Sequence, residues 1–193
     1  MGSYVVENGF FLLNDGSGRL LRGALRVENG RIARISRSIP KQKGEKRINL
    51  SGLLVIPGFV QTHVHLCQTL FRNFADDLEL LDWLSQRIWP FEGAHNEKSL
   101  YASARLGIAE LLKGGTTTIL DMGTVRHTNS IFEAAKEMGI RAFIGKCLMD
   151  RESCPPVLRE STRQALHENL ELLARWHGKA EDRLRYEIGR AHV

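Results

Sequence analysis

The sequence predicts an α/β fold, with a small β-rich segment over residues 1–56 followed, from Pro57 onward, by strands alternating with helices. Three observations carry that prediction. Before Pro57, short strand-like runs are punctuated by Asn-Gly and Asp-Gly turn signals. After it, apolar residues recur at helical spacing between β-branched runs, in a β-α-β-α-β-α series. Such alternation specifies right-handed βαβ units and a parallel sheet, closed or open, in which functional groups sit at the C-terminal strand ends.

In the first segment, Ser3–Val6 and Gly9–Leu13 bracket a turn expected at Asn8-Gly9, and Asn14-Asp15-Gly16-Ser17-Gly18 is a second turn. Ala24–Glu28 and Arg31–Ile35 flank Asn29-Gly30, the strongest short hairpin signal, because both turn residues must take positive φ. Ser38 to Gly44 reads as a loop, followed by strands Arg47–Leu50 and Leu53–Ile56. Beyond Pro57, Leu78, Leu81, Leu84 and Ile88 lie at helical spacing in a segment expected to stop at Pro90. Leu100, Ala104, Ile108 and Leu111 form a second helix ended by Gly114-Gly115. Strand Thr116–Asp121, helix Asn129–Met138 closed by Gly139, strand Arg141–Leu148 and helix Ser161–His177 complete three units.

Composition narrows the function classes. The chain has 193 residues, 42% of them hydrophobic and 25% charged, as in ordinary globular proteins. It contains no apolar run of about 18 residues, and Met1-Gly2-Ser3-Tyr4 lacks the start of a secretion signal, so no membrane partner and a cytoplasmic location are expected. Cys67, Cys147 and Cys154 show no Cys-x-x-Cys spacing and are expected to be free thiols. The net charge of +5 is concentrated between Arg31 and Arg47, which together carry +6. No aromatic residue interleaves that stretch to stack on bases, so nucleic acid is not an expected partner.

The chemistry-bearing motif is His63-Val64-His65, at the end of the apolar run that follows Pro57. Alternate side chains of a strand share a face, so both imidazoles point one way and Val64 the other. Two neutral imidazoles suit zinc, iron or nickel, and a catalytic ion needs about three protein ligands with one open position. His-x-His alone also describes two ordinary histidines at a strand end; its setting at a parallel-strand terminus favours ligation. Cys67, on the same face if the strand continues, is expected to be a packed thiol. Asp121 and Asp150 follow strand ends and His127 lies in a loop; turn or capping roles are expected for all three. Trp83 and Trp89 either pack in the core or wall a ring-binding pocket, and Trp89 is retained as a substrate-binding candidate.

Leu54-Val55-Ile56-Pro57-Gly58-Phe59-Val60-Gln61-Thr62-His63-Val64-His65 resembles the opening metal motif of the amidohydrolase superfamily, and Gly114-Gly115-Thr116-Thr117-Thr118 resembles its second-strand signature. Leu66–Arg72, Asp76–Leu84 and Trp89-Pro90-Phe91-Glu92 resemble the branch containing S-adenosylhomocysteine, methylthioadenosine and 5'-deoxyadenosine deaminases and the triazine chlorohydrolases. The resemblance implies the N-terminal part of a (β/α)8 barrel, preceded by strands of a small β-sandwich. It implies His63 and His65 as the first two ligands of one divalent ion, zinc before iron. Glu92 matches the position that binds ribose hydroxyls. The implied chemistry is attack of a metal-activated hydroxide on an amidine-like ring carbon, expelling ammonia or chloride.

The small-molecule partner so implied is an adenine nucleoside, with an s-triazine or another nitrogen heterocycle as the alternative. A non-catalytic scaffold of the same fold is the alternative of another class. The family's further ligands and proton shuttle belong to later strands and match nothing here; His167 and His177 lie on a helix. Residues 57–187 therefore read as the first three units of a longer enzyme, whose homo-oligomerisation is left open and whose isolated N-terminal part is expected to be inactive. Residues 188–193 match a translated sequencing adapter and are read as a non-native tail, so His192 is not counted as a ligand.

Overall fold

The computed structural model describes residues 2–74 and 77–188, and the chain divides after Pro57 into two compact units. The first unit is a five-stranded sheet of β1 (Tyr4–Leu12), β2 (Leu20–Glu28), β3 (Arg31–Ser36), β4 (Lys46–Asn49) and β5 (Leu54–Val55). Strand order is β3-β2-β1-β4, with β5 also pairing β1. The β2–β3 hairpin turns at Asn29-Gly30, whose φ values of 50° and 74° are both positive, as a tight hairpin requires. The turn expected at Asn8-Gly9 is instead a bulge. Asn8 takes φ 64°, the pairing with β2 shifts between Glu7 and Gly9, and the strand continues. A left-handed asparagine serves a turn or a bulge equally well, and the continuous partner strand makes it a bulge here.

Part of the basic charge is neutralised inside this sheet. Arg26 is buried against Glu45 at 2.8 Å, and Arg47 pairs with Glu7 at 2.6 Å. Arg31 and Arg34 are exposed on β3.

The second unit is a parallel sheet of β6 (Phe59–Val64), β7 (Thr116–Asp121), β8 (Arg141–Lys146) and β9 (Leu184–Ile188), ordered β6-β7-β8-β9. Neighbours in space are neighbours in sequence, the order of a barrel wall; a doubly wound sheet reverses direction partway. Helices α3 (Glu97–Lys113), α4 (Thr128–Met138) and α5 (Thr162–Trp176) connect the strands. Asn96 and Ser99 form a reciprocal capping box at the start of α3, Gly139 ends α4 at φ 80°, and Ser161 caps α5. The core is Leu100, Ala104 and Ile108 of α3, Ile131 and Phe132 of α4, and Ile119, Ala142 and Ile144 of the strands.

Three sequence expectations need correction here. A fourth strand, β9, follows the three expected units, and Ile188, the first residue of the expected tail, pairs with Lys146. The rest of that tail, with His192, lies outside the described residues. The helix before Pro90 does not stop there: α1 (Leu80–Trp83) passes into a π turn over Leu84–Ile88 and then into α2 (Trp89–Ala94). The Trp89 N–H reaches back five residues to Leu84, so Pro90 enters as the first turn of a new segment, where its missing N–H is tolerated. The Gln86 carbonyl, which a residue with an N–H at position 90 would serve, takes the Arg87 guanidinium at 3.2 Å. Third, Cys67 is not on strand β6 but in a 3-10 turn over Leu66–Phe71. No helix among the described residues is long and apolar enough to cross a membrane.

Candidate metal and substrate site

The site is built where β6 ends. Gln61 pairs with Ile119 and Val64 with Asp121, so β6 carries one residue more than β7 between these pairs. Such a bulge re-aims the side chains beside it. Val64 packs against the core, and the Met122 N–H donates to its carbonyl at 2.9 Å. On the opposite side, His63 and His65 bring their Nε2 atoms to 3.1 Å, with the rings edge to face. Zinc–nitrogen bonds of about 2.0–2.1 Å in tetrahedral array would separate two ligand nitrogens by roughly 3.3 Å. The pair therefore fits as two ligands of one ion. Among the described residues, no cluster of three or more His, Cys, Asp or Glu side chains could hold a metal.

An open groove of about 560 Å³ runs past the pair, bordered by Gln68 and Thr69 of the 3-10 turn, by Arg72 just after it and by Glu110 of α3. Arg72 and Glu110 form a two-pronged ion pair at 2.8 and 2.9 Å across it.

Glu92, on α2, is 8% exposed rather than solvated. Its Oε1 accepts from Gln68 Nε2 at 2.9 Å and from the Cys67 thiol at 3.3 Å. Burial raises its carboxyl above the usual range, and those two hydrogen bonds oppose the rise. The structure thus joins Glu92 to the turn that follows the histidines. Trp89 opens α2 three residues before Glu92 and is half-buried, as is Trp83. Cys67 is fully buried and also donates to the Gly123 carbonyl at 3.4 Å; desolvation first, then the charges of Glu92 and Asp121, push its thiol well up, so it is a protonated packing group.

The sequence pattern gave no sign of how the turn is held. Asp121, 1% exposed at the end of β7, accepts the Leu66 N–H at 2.8 Å and the Gly123 N–H at 3.1 Å. Burial raises its carboxyl to about 7 against the pull of both amides. Ser103 of α3 donates to the Leu66 carbonyl at 2.8 Å. His95 Nε2 donates to the Cys67 carbonyl at 2.8 Å, which leaves Nδ1 to accept from Ser99 at 2.9 Å. Desolvation lowers the pKa of His95, in keeping with that neutral tautomer. Apart from the local Asp121–Gly123 bond, each of these contacts joins residues at least four apart, and most join separate elements, so periodicity carries no trace of them.

The other candidates lie apart from the pair. Asp150 accepts from Thr162 at 2.6 Å beside the start of α5. His127 stands at the N-cap of α4 with φ 61° and makes no side-chain cap bond. His167 pairs with Glu171 on an exposed face of α5. At the end of β8, Lys146 is buried with Glu160, a pair the sequence reading missed.

A parallel strand series in barrel order, with paired imidazoles where its first strand ends, defines a β/α-barrel fold. The chain belongs to the amidohydrolase family, whose profile matches residues 54–192. It is 35% identical over 178 residues to a 5'-deoxyadenosine deaminase of Methanobrevibacter smithii, covering 92% of this chain and 39% of that protein. It is 38% identical over 152 residues to a 5-methylthioadenosine/S-adenosylhomocysteine deaminase of Caldicellulosiruptor saccharolyticus, covering 77% of this chain and 35% of that protein. The chain thus spans about two fifths of the length of these curated relatives.

Among solved structures, guanine deaminase from C. acetobutylicum with bound guanine superposes with a TM-score of 0.88 at 26% identity, over 100% of this chain and 47% of that one. An atrazine chlorohydrolase from Arthrobacter aurescens, solved with zinc, shares the fold with a TM-score of 0.84 at 19% identity, over 96% of this chain and 46% of that one.

Proposed function

We propose that this chain contributes the first two metal ligands and the ribose-binding carboxylate of an aminohydrolase acting on an adenine nucleoside of the 5'-deoxyadenosine, methylthioadenosine or S-adenosylhomocysteine type. The observation that carries this reading is the convergence of His63 and His65 Nε2 at 3.1 Å, at a strand end followed by a turn whose residues hold Glu92. A divalent ion bound by such a pair supplies Lewis-acid activation of water at neutral pH. Two imidazoles suit zinc and iron alike, and the zinc-bearing structural neighbour puts zinc first.

The chain's own residues supply binding and orientation. Gln68 and Cys67 both donate to Oε1 of Glu92, which turns the carboxylate and leaves its other oxygen to accept from a ligand hydroxyl. Vicinal ribose hydroxyls are such donors; an s-triazine ring offers none, which puts the chlorohydrolase reading second. Trp89 lies on the Glu92 side of α2, where an aromatic face suits a purine.

The deciding experiment assays ammonia release from a nucleoside panel, with atrazine alongside, using the protein that contains this chain together with its genomic continuation and added zinc or iron. Deamination of one of the three nucleosides at a rate above that of free adenine is expected. Dechlorination of atrazine alone would establish the second reading, and inactivity toward every compound with either metal would leave a scaffold.

A further inference from the structure

We propose that Asp121 is a positioning residue for the histidine pair: by accepting the amide that follows His65 it anchors the backbone at the end of β6 and so sets where the His65 side chain leaves the chain. This rests on the metal-ligand reading of His63 and His65.

The first turn of any helix leaves amide donors without intrahelical partners, and the residue at the N-cap usually satisfies one with a side-chain oxygen. His65 is the N-cap residue of the Leu66–Phe71 turn, with φ −129° and ψ 86°, and makes no side-chain cap bond. The Leu66 N–H, the first of the turn, goes to Asp121 Oδ1 at 2.8 Å, a residue 55 positions away on the neighbouring strand. The other polar atom of the same peptide, the His65 carbonyl, accepts the Gln68 N–H at 3.0 Å. The peptide plane after His65 is therefore held at both ends, which fixes ψ of His65 and with it the direction of its side chain.

Asp121 is itself held. Its Oδ2 takes the Gly123 N–H at 3.1 Å, and Gly123 has φ 68° with Gly145 O only 1.6 Å from where a Cβ would stand. One carboxylate thus links the ends of β6 and β7 through two backbone amides. Asparagine at this position presents one acceptor and one donor to two N–H groups, so it can satisfy only one of them.

The test is made on the protein that contains this chain together with its genomic continuation, with Asp121→Asn, and with Ile144→Val as a control for lost packing elsewhere in the sheet. Zinc affinity is read by competition with a chromophoric chelator, the ligand field by the cobalt absorption spectrum, and stability by apo melting. About a tenfold or greater loss of zinc affinity and an altered cobalt spectrum are expected for D121N, the scale seen when supporting groups of metal ligands are removed. I144V should keep wild-type affinity at an apo melting temperature no higher than that of D121N. Wild-type affinity and spectrum in D121N would overturn the proposal, as would an equal loss in I144V. Should D121N not fold, Asp121→Ser, which keeps one acceptor, is read against the same outcomes. If His63→Ala and His65→Ala leave zinc binding unchanged, the ligand reading itself fails and takes this proposal with it; if those variants lose zinc and D121N does not, the positioning role alone fails.

Discussion

Gln68 Nε2 stands 2.9 Å from Glu92 Oε1, so the turn that follows the histidine pair and the helix that carries the carboxylate are joined by a side-chain hydrogen bond. Glu92→Gln keeps the size of the side chain and an acceptor for Gln68 but replaces the second oxygen with a donor. In the protein that includes this chain and its continuation, E92Q should raise KM for a ribonucleoside by about tenfold to a hundredfold, the scale of one or two charge-assisted hydrogen bonds. The same substitution should change KM for a substrate without ribose by less than about threefold. Equal effects on both would remove Glu92 from ribose recognition.

Asp121 sets a pH dependence whose sign follows from burial. Its carboxyl is raised from 3.8 to about 7 in the folded chain. Between those values the folded state holds a proton that the unfolded state has lost. The stability this contributes is complete below pH 3.8 and is lost as pH rises through 7. Asp121→Asn has no such dependence. Urea unfolding at about pH 4.5 and about pH 8 should show the stability difference, wild type minus D121N, falling by up to roughly 3 kcal/mol as pH rises. A difference that grows with pH would contradict the assignment.

Lys146 and Glu160 are 1% and 5% exposed as side chains, with Nζ 2.8 and 2.7 Å from the two carboxylate oxygens. Removing one partner strands the other charge in the interior. Lys146→Met should cost about 3–5 kcal/mol in denaturant unfolding, and Lys146→Met with Glu160→Met should recover most of that. Additive losses in the double-mutant cycle would show that the two charges are not coupled.

Gly123 admits no side chain, because both its φ of 68° and the 1.6 Å approach of Gly145 O forbid a Cβ. Gly123→Ala should lose at least about 3 kcal/mol of stability, combining backbone strain with displacement of the β8 end. Gly16 also has positive φ, at 81°, but has open space where its Cβ would stand, so Gly16→Ala should cost only about 1 kcal/mol.

His63 is exposed and His65 half-buried, so replacing either by Ala should change apo stability by less than about 1 kcal/mol. Zinc should raise the melting temperature of the wild-type chain and not that of His63→Ala or His65→Ala, because only a ligand bound to the native state stabilises it. Thermal scans with and without zinc chloride read this directly.

The parts legible in the sequence are those that repeat along the chain or depend on one residue's conformation. The strand–helix alternation, the Asn29-Gly30 hairpin, the Gly139 helix end and the shared face of His63 and His65 all belong to that kind. Asn8-Gly9 showed the limit of local reading, since the same left-handed asparagine makes a turn or a bulge depending on its neighbouring strand. Asp121 with Leu66, His95 with Cys67, and Lys146 with Glu160 are tertiary pairings between elements, and no local pattern specifies them. Glu92 is a candidate through its resemblance to the family motif; its burial and its tie to Gln68 are visible only in the fold.

The π turn over Leu84–Ile88 sets the rotational phase of everything that follows it in the helix. A π turn is the signature of one residue added to an α-helix, and each residue of an α-helix turns the chain by about 100°. Deleting a single residue there would swing Glu92 away from Gln68 and bring a different side chain of α2 to face the turn. The specificity of such a pocket can therefore be re-indexed by chain length alone, with every residue that touches the ligand left unchanged.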